Sequence, residues 1–300
     1  MWRRVLGSIL LCCLALTGAG SVMAGVKSVY VEQDWLAKNL GNKEIVVVDM
    51  TSEDVQYLRY HIPGAVRLSY QDIVTRRKDK VSVRLPDTQL VKVLGAIGIR
   101  PDQHVVIYDD MAGLNAGRLF WELERIGHQK VSVLRGGLVQ WVLAGRKVDN
   151  LPVKPTAVQY PLAAGGRNNE ASLAAVTAAS AGGQAVLLDV RSQEEYAGHP
   201  KYPRSGHVPG AKWASWEDNV DFGNGFVPKR SDLLMNKLHA LGVKDKDASV
   251  IVYCRSGHRA SQSYLTLRDL GFSAVQLYDG SMAEYARQPG LPLVKGMAEK

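Results

Sequence analysis

Along most of the chain, short runs rich in Val, Ile and Leu alternate with longer stretches whose apolar positions recur every three or four residues. EIVVVDM (44–50), HVVIYDD (104–110), AVLLDVR (185–191) and SVIVYCR (249–255) are of the first kind. Continuous apolar runs of this length predict strands buried on both faces, as in a parallel sheet. DTQLVKVLGAIGI (87–99), NAGRLFWELERIGH (115–128), SDLLMNKLHALGV (231–243) and HRASQSYLTLRDLGF (258–272) are of the second kind. They predict helices, each opening on a polar cap candidate and closing near a glycine. Strands alternating with helices imply an α/β fold, mainly parallel, with right-handed crossovers.

The pattern occurs twice. EIVVVDM matches AVLLDVR, YHIPGAV (60–66) matches GHVPGAK (206–212), HVVIYDD matches SVIVYCR, and KVSVLRGG (130–137) matches AVQLYDGS (274–281). The four matches run in the same order at a nearly constant offset of about 140 to 146 residues, which identifies a duplicated domain. Between the copies, residues 146–172 carry three prolines, two glycines and little periodicity, and read as a linker.

The N-terminus reads MWRRVLGSILLCCLALTGAGSVMAG. Two arginines, an apolar run from Val5 to Leu16, and Val22-Met23-Ala24 with small residues at the cleavage positions form the layout of a secretory signal peptide. The run is too short to span a bilayer, so cleavage after Ala24 is expected, with no stable membrane insertion afterwards. The expected division is 1–24 signal peptide, 25–145 first copy, 146–172 linker and 173–300 second copy, in a periplasmic or secreted protein. Cleavage lowers the formal charge from +8 to +6. Acids and bases are interspersed, with no long cationic run beyond Arg76-Arg77-Lys78, so the excess suits small anions rather than nucleic acid.

Cleavage also removes Cys12 and Cys13, leaving Cys254 as the only thiol. An unpaired thiol in an oxidising compartment is a liability unless its chemistry is used. Cys254 follows the buried strand SVIVY and precedes a helix, which places it at the carboxyl end of a strand, where α/β folds bind ligands. Backbone N–H groups at a helix N-terminus favour an anion there, and Arg255, His258 and Arg259 add positive charge. Such surroundings favour a thiolate nucleophile and would equally hold a persulfide or a bound anion.

The duplicated domain, the HIPGA and HVPGA turns, LYDGS and the loop CRSGHR together resemble the rhodaneses, a family of sulfurtransferases, over nearly all of the mature chain. The resemblance implies two tandem rhodanese-like domains, each a mainly parallel five-stranded sheet flanked by helices, the first non-catalytic and the second catalytic. The first copy has Asp109 where the second has Cys254. An aspartate cannot carry sulfane sulfur, so the first copy is expected to be structural and to cover one wall of the site. The implied reaction moves sulfur from thiosulfate, through a persulfide on Cys254, to cyanide, a thiol or a protein. The resemblance makes Arg191 a substrate contact. In the short loop, Arg255 and Arg259 face the site, and Ser256 and Gly257 offer backbone N–H groups. His258 either tunes the thiolate or faces solvent.

Three alternatives stand beside this reading. A cysteine phosphatase needs five residues between Cys and Arg, whereas only four separate Cys254 from Arg259. Mercaptopyruvate sulfurtransferases resemble one another in a CGSGVT loop, which this chain replaces with a more cationic one. A sulfane-sulfur carrier without turnover, or an interaction module whose loop binds a partner, would keep the same cysteine. His61 and His207 are expected to stabilise their turns, Asp49 and Asp189 to be structural, and Asp279-Gly280 to be a turn. No metal-ligand spacing and no nucleotide loop occur, so no metal or cofactor is expected.

Overall fold

The computed structural model describes residues 28–162 and 165–297. The expected leader and its cleavage site lie outside the described residues.

In the first copy the sheet strands are β1 (Tyr30–Val31), β2 (Ile45–Asp49), β3 (Val66–Arg67), β4 (His104–Tyr108) and β5 (Val131–Leu134). They lie in the order β1-β5-β4-β2-β3 and every pairing is parallel. The second copy contributes β6 (Val186–Asp189), β7 (Lys212–Trp213), β8 (Val250–Tyr253) and β9 (Val275–Leu277), in the parallel order β9-β8-β6-β7. The expected fifth strand of this sheet is reduced to a single bridge between Glu170 and Leu277. The Leu277 N–H donates to the Asn169 carbonyl and the Ala171 N–H to the Leu277 carbonyl, each at 2.9 Å. Asn169 also ties this sheet edge to the first copy: its carbonyl accepts from the Trp121 indole at 2.9 Å, and its amide donates to the Trp121 carbonyl at 3.1 Å.

Helices flank both sheets. The four helices foreseen from the pattern form, at Asp87–Ala96, Leu114–Arg125 (α1), Ser231–Ala240 and His258–Asp269 (α2). They stop just before the expected glycines, but none starts with a side-chain cap. On α1 the Ala116 N–H instead finds the Asp109 carboxylate at 2.9 Å.

α1 and α2 pack against each other and join the copies. One apolar cluster contains Val48, Ile107 and Trp121 of the first copy together with Val252, Tyr264 and Leu265 of the second. Gly117 permits the close crossing, because a Cβ there would lie 2.7 Å from the Ser261 carbonyl. Charged pairs flank the apolar contact. Arg118, nearly inaccessible on α1, donates to Asp279 at 2.5 and 3.2 Å, and Arg268 on α2 pairs with Glu124 at 3.1 Å.

The parallel register places matching residues at the carboxyl ends of both sheets. Asp49 lies beside Tyr108 and Asp189 beside Tyr253, so the loops after β4 and β8 leave from equivalent points. Each loop is covered by a hairpin of the other copy. The hairpin of Val74–Arg76 and Ser82–Arg84 reaches the second copy, where the Arg84 N–H donates to Asp279 at 2.6 Å. The hairpin of Val220–Asp221 and Val227–Pro228 reaches the first, where Val220, Phe226 and Pro228 line a small cavity with Asp109.

The turn histidines behave alike in both copies. His61 Nδ1 donates to the Tyr57 carbonyl at 2.7 Å and its ring stacks on Tyr57 at 4.0 Å. His207 Nδ1 donates to the Tyr196 carbonyl at 2.9 Å and stacks on Tyr196 at 3.7 Å.

Candidate active site

Cys254 sits at the end of β8 with 1% of its surface exposed, so only a narrow group can reach its sulfur without the loop opening. The Cys254 and Gly257 N–H groups both donate to Ser281 Oγ, at 3.2 and 3.1 Å, and Ser281 Oγ donates to the Tyr278 carbonyl at 2.7 Å. Ser281 is inaccessible and holds a φ of +48°, a conformation a serine adopts only at a cost. Its hydroxyl staples the loop from beneath. Gly257 precedes α2 at φ +81°, and a Cβ there would meet Asp279 Oδ1 at 2.3 Å, so glycine is required by both angle and space.

The remaining N–H groups of the loop and first helical turn, at Arg255, Ser256, His258, Arg259 and Ala260, have no acceptor among the described residues. They form an open cradle. Ser256 therefore offers its N–H as expected, whereas Gly257 does not, its own being bound to Ser281.

The cations are arranged less simply than the sequence implies. Arg259 clamps Glu195 with two bonds of 2.5 and 2.9 Å. Burial opposes the Arg259 charge, but Glu195 and the nearby Cys254 hold its pKa above the ordinary value. Arg191 lies on Asp189, donating at 2.9 and 2.5 Å, with a further 2.8 Å bond to the Gly206 carbonyl. Its guanidinium thus braces the end of β6 and the HVPGA turn. Asp189 is structural through that same pair. Of the three arginines, Arg255 alone is exposed and makes no ion pair among the described residues.

His258 is neither solvent-facing nor charged. Asn115 of α1 donates to the Met50 carbonyl at 2.8 Å, which turns its oxygen toward His258 Nε2, 2.7 Å away. Nε2 therefore carries the proton and donates. The Tyr70 ring lies 4.4 Å from the imidazole. Burial, then Arg118 and Arg259, push the His258 pKa down to about 4, so it adds no charge at neutral pH. Tyr70, Asn115 and Arg118 all come from the first copy, which forms one wall of the site.

The equivalent loop of the first copy is filled by its own side chain. Asp109 Oδ1 accepts from the Met111 and Gly113 N–H groups at 3.1 and 2.9 Å, and Oδ2 from Ala116 at 2.9 Å. Burial raises its pKa to about 6, with the three N–H bonds opposing, so it is a carboxylate at neutral pH. Opposite it stands Gly137, in the place of Ser281, also at positive φ; a Cβ there would lie 2.2 Å from the Asp109 carbonyl.

Sequence reasoning missed Ser281, Glu195 and the anchor role of Asp279. The alignment of LYDGS with VLRGG already placed Ser281 against Gly137, which was a usable signal. The other two depend on contacts distant in sequence.

The chain belongs to the rhodanese-like family. The model of the rhodanese-like domain matches residues 32–144 and again 172–288. Among curated relatives, "Sulfur carrier protein TtuD" of Thermus thermophilus is 32% identical over 287 residues, covering 89% of this chain and 97% of that protein. The "Thiosulfate sulfurtransferase" of Pseudomonas aeruginosa is 32% identical over 266 residues, covering 88% and 96%. Among solved structures, EanB superposes with a TM-score of 0.76 at 22% identity over 84% of this chain. The present chain spans 64% of that structure's length, and the likeness is one of fold.

Proposed function

We propose that the protein is a thiosulfate sulfurtransferase that works through a persulfide on Cys254. The contrast between the two loops supports this reading best. The same loop geometry binds a carboxylate in the first copy, at Asp109, and in the second presents unfilled N–H groups around a cysteine. An anion cradle with a thiol in it suits sulfane-sulfur chemistry.

In the first half-reaction the Cys254 thiolate attacks the outer sulfur of thiosulfate. The sulfur–sulfur bond of the donor breaks and sulfite leaves with the electron pair. The open N–H groups hold the persulfide anion, and Arg255 draws the donor in. In the second, cyanide or a thiolate attacks the outer sulfur, and Cys254 departs as thiolate. Ser281 keeps the loop in shape throughout, and His258, neutral and tied to Asn115, fixes the loop against the first copy.

Intact mass of the protein before and after thiosulfate, and again after cyanide, tests this. The expected result is a gain of one sulfur atom that cyanide removes, with none in Cys254→Ser, whose thiocyanate production falls by at least about a thousandfold. Thiocyanate formation by Cys254→Ser at a substantial rate would overturn the assignment. The relative named a sulfur carrier favours a second reading, which predicts one sulfur bound and slow turnover with every small acceptor. The leader motif supports export with cleavage after Ala24, to be checked by the N-terminal sequence of the protein recovered outside the cytoplasm.

A further inference from the structure

The one cationic run of the chain, Arg76-Arg77-Lys78, belongs to the non-catalytic copy, yet the fold carries it to the catalytic loop. Its hairpin is fastened to the second copy at three points. Arg84 N–H donates to Asp279, Arg77 pairs with Glu284 at 2.6 Å, and Arg287 donates to the Asp79 carbonyl. Glu284 lies on the helix Ser281–Tyr285, whose first turn binds the Cys254 and Arg255 carbonyls through Met282 and Ala283. The hairpin tip is therefore fastened to the helix that holds the Cys254 loop, and forms with it a rim beside that loop.

The charges on this rim do not balance. Asp79 and Glu284 are both engaged by Arg77. Arg76, Lys78, Lys80 and Arg255 are all exposed and form no ion pair among the described residues, while Arg287 lies against Asp79. Lys80 moreover holds a φ of +65°, a turn position where glycine or asparagine would sit without strain, and its ammonium gains no local contact in return.

We infer that this rim, assembled from both copies, is a docking surface for an acidic protein segment that carries the accepting thiol. The inference rests on the sulfur-transfer reading. A protein acceptor must bring its cysteine down to a sulfur that is almost wholly buried, and an acidic segment meeting the rim would hold it there. Cyanide reaches the same sulfur without touching the rim. The acids interspersed on the rim, Asp79 and Glu284, set it apart from a track for a uniform polyanion such as nucleic acid. During transfer the acceptor thiol loses its proton to solvent and its sulfur attacks the outer sulfur of the persulfide. The bond to Cys254 breaks, and Cys254 returns to thiolate.

The test uses the full chain, loaded with sulfur from thiosulfate, and three synthetic peptides with one cysteine each, one acidic, one neutral and one basic. The expected result is transfer to the acidic peptide about tenfold faster than to the basic one at low salt, the preference fading as salt is added. Lys78→Glu with Lys80→Glu is expected to abolish the preference while the rate with cyanide stays as it was. Lys78→Gln with Lys80→Gln serves as a milder pair and is expected to reduce it. Equal rates for the three peptides, or a preference that survives the charge reversal, would overturn the inference. Absence of thiocyanate from thiosulfate and cyanide in the unaltered protein would instead sink the sulfur-transfer reading, and this docking with it.

Discussion

The loops after β4 and β8 descend from one ancestral pattern and solve opposite problems. In the first copy Asp109 turns back into its own loop and satisfies three N–H groups. In the second the cysteine leaves the cradle open, and loop shape is kept instead by Ser281 from below and by Asn115 and Arg118 from the other copy. One loop is stable by itself and closed to ligands. The other is receptive and depends on neighbours for its shape. A single residue can thus fill the anion site of its own loop, while its domain serves as a wall for the loop of its twin.

The strongest way to break this comparison is to empty each loop. Asp109→Ala removes the acceptor of three N–H groups, one buried and two half-buried, and is expected to cost about 3 kcal/mol of stability in urea titrations. Cys254→Ala removes no acceptor, and its expected cost stays within about 1 kcal/mol although all sulfur transfer is lost. Equal costs for the two variants would show that Asp109 does not hold its loop.

The two loops should also answer acid with opposite signs. His258 has a folded pKa of about 4 against an ordinary 6.5. Between those values the unfolded chain binds a proton that the folded chain refuses, so this group weakens the fold as pH falls, by up to about 3 kcal/mol. Asp109 has a folded pKa of about 6 against an ordinary 3.8. There the folded chain binds the proton first, so acidification over that window favours the fold by a similar amount at most. Urea midpoints from pH 7 to 4 should therefore fall less steeply in His258→Gln and more steeply in Asp109→Asn. Parallel curves for both variants would remove the electrostatic part of the comparison.

A smaller effect is expected at Glu195, which fills the fork of Arg259. Glu195→Gln keeps a group able to close the capping box with Ser192 and releases the arginine toward Cys254. The KM for thiosulfate should fall about tenfold, with a weaker change for a singly charged thiosulfonate donor. An equal change for both donors would mean that Glu195 acts through loop shape rather than charge.

Much of this was legible in the chain. Apolar runs located the strands, periodicity and glycines located the helices, and the repeat placed Asp109 opposite Cys254. The shrinking of the fifth strand to one bridge at Glu170 was not legible, nor was the tie of Asn169 to Trp121, which forms only after the copies dock. One of the two arginines of CRSGHR was misleading for a related reason. A cation in a loop looks available until the fold brings a carboxylate to it, as Glu195 comes to Arg259, whereas Arg255 stays exposed.

By itself, then, the sequence determined the duplicated α/β fold, the candidate cysteine and the loop that holds it, since these follow from local periodicity, turn chemistry and a single residue type. Only the tertiary structure decided which charges remain free at the site, how His258 is held neutral, and that the rim is shared between copies. Those properties arise from burial and from pairs far apart in the chain, and both exist only once the two sheets have packed across α1 and α2.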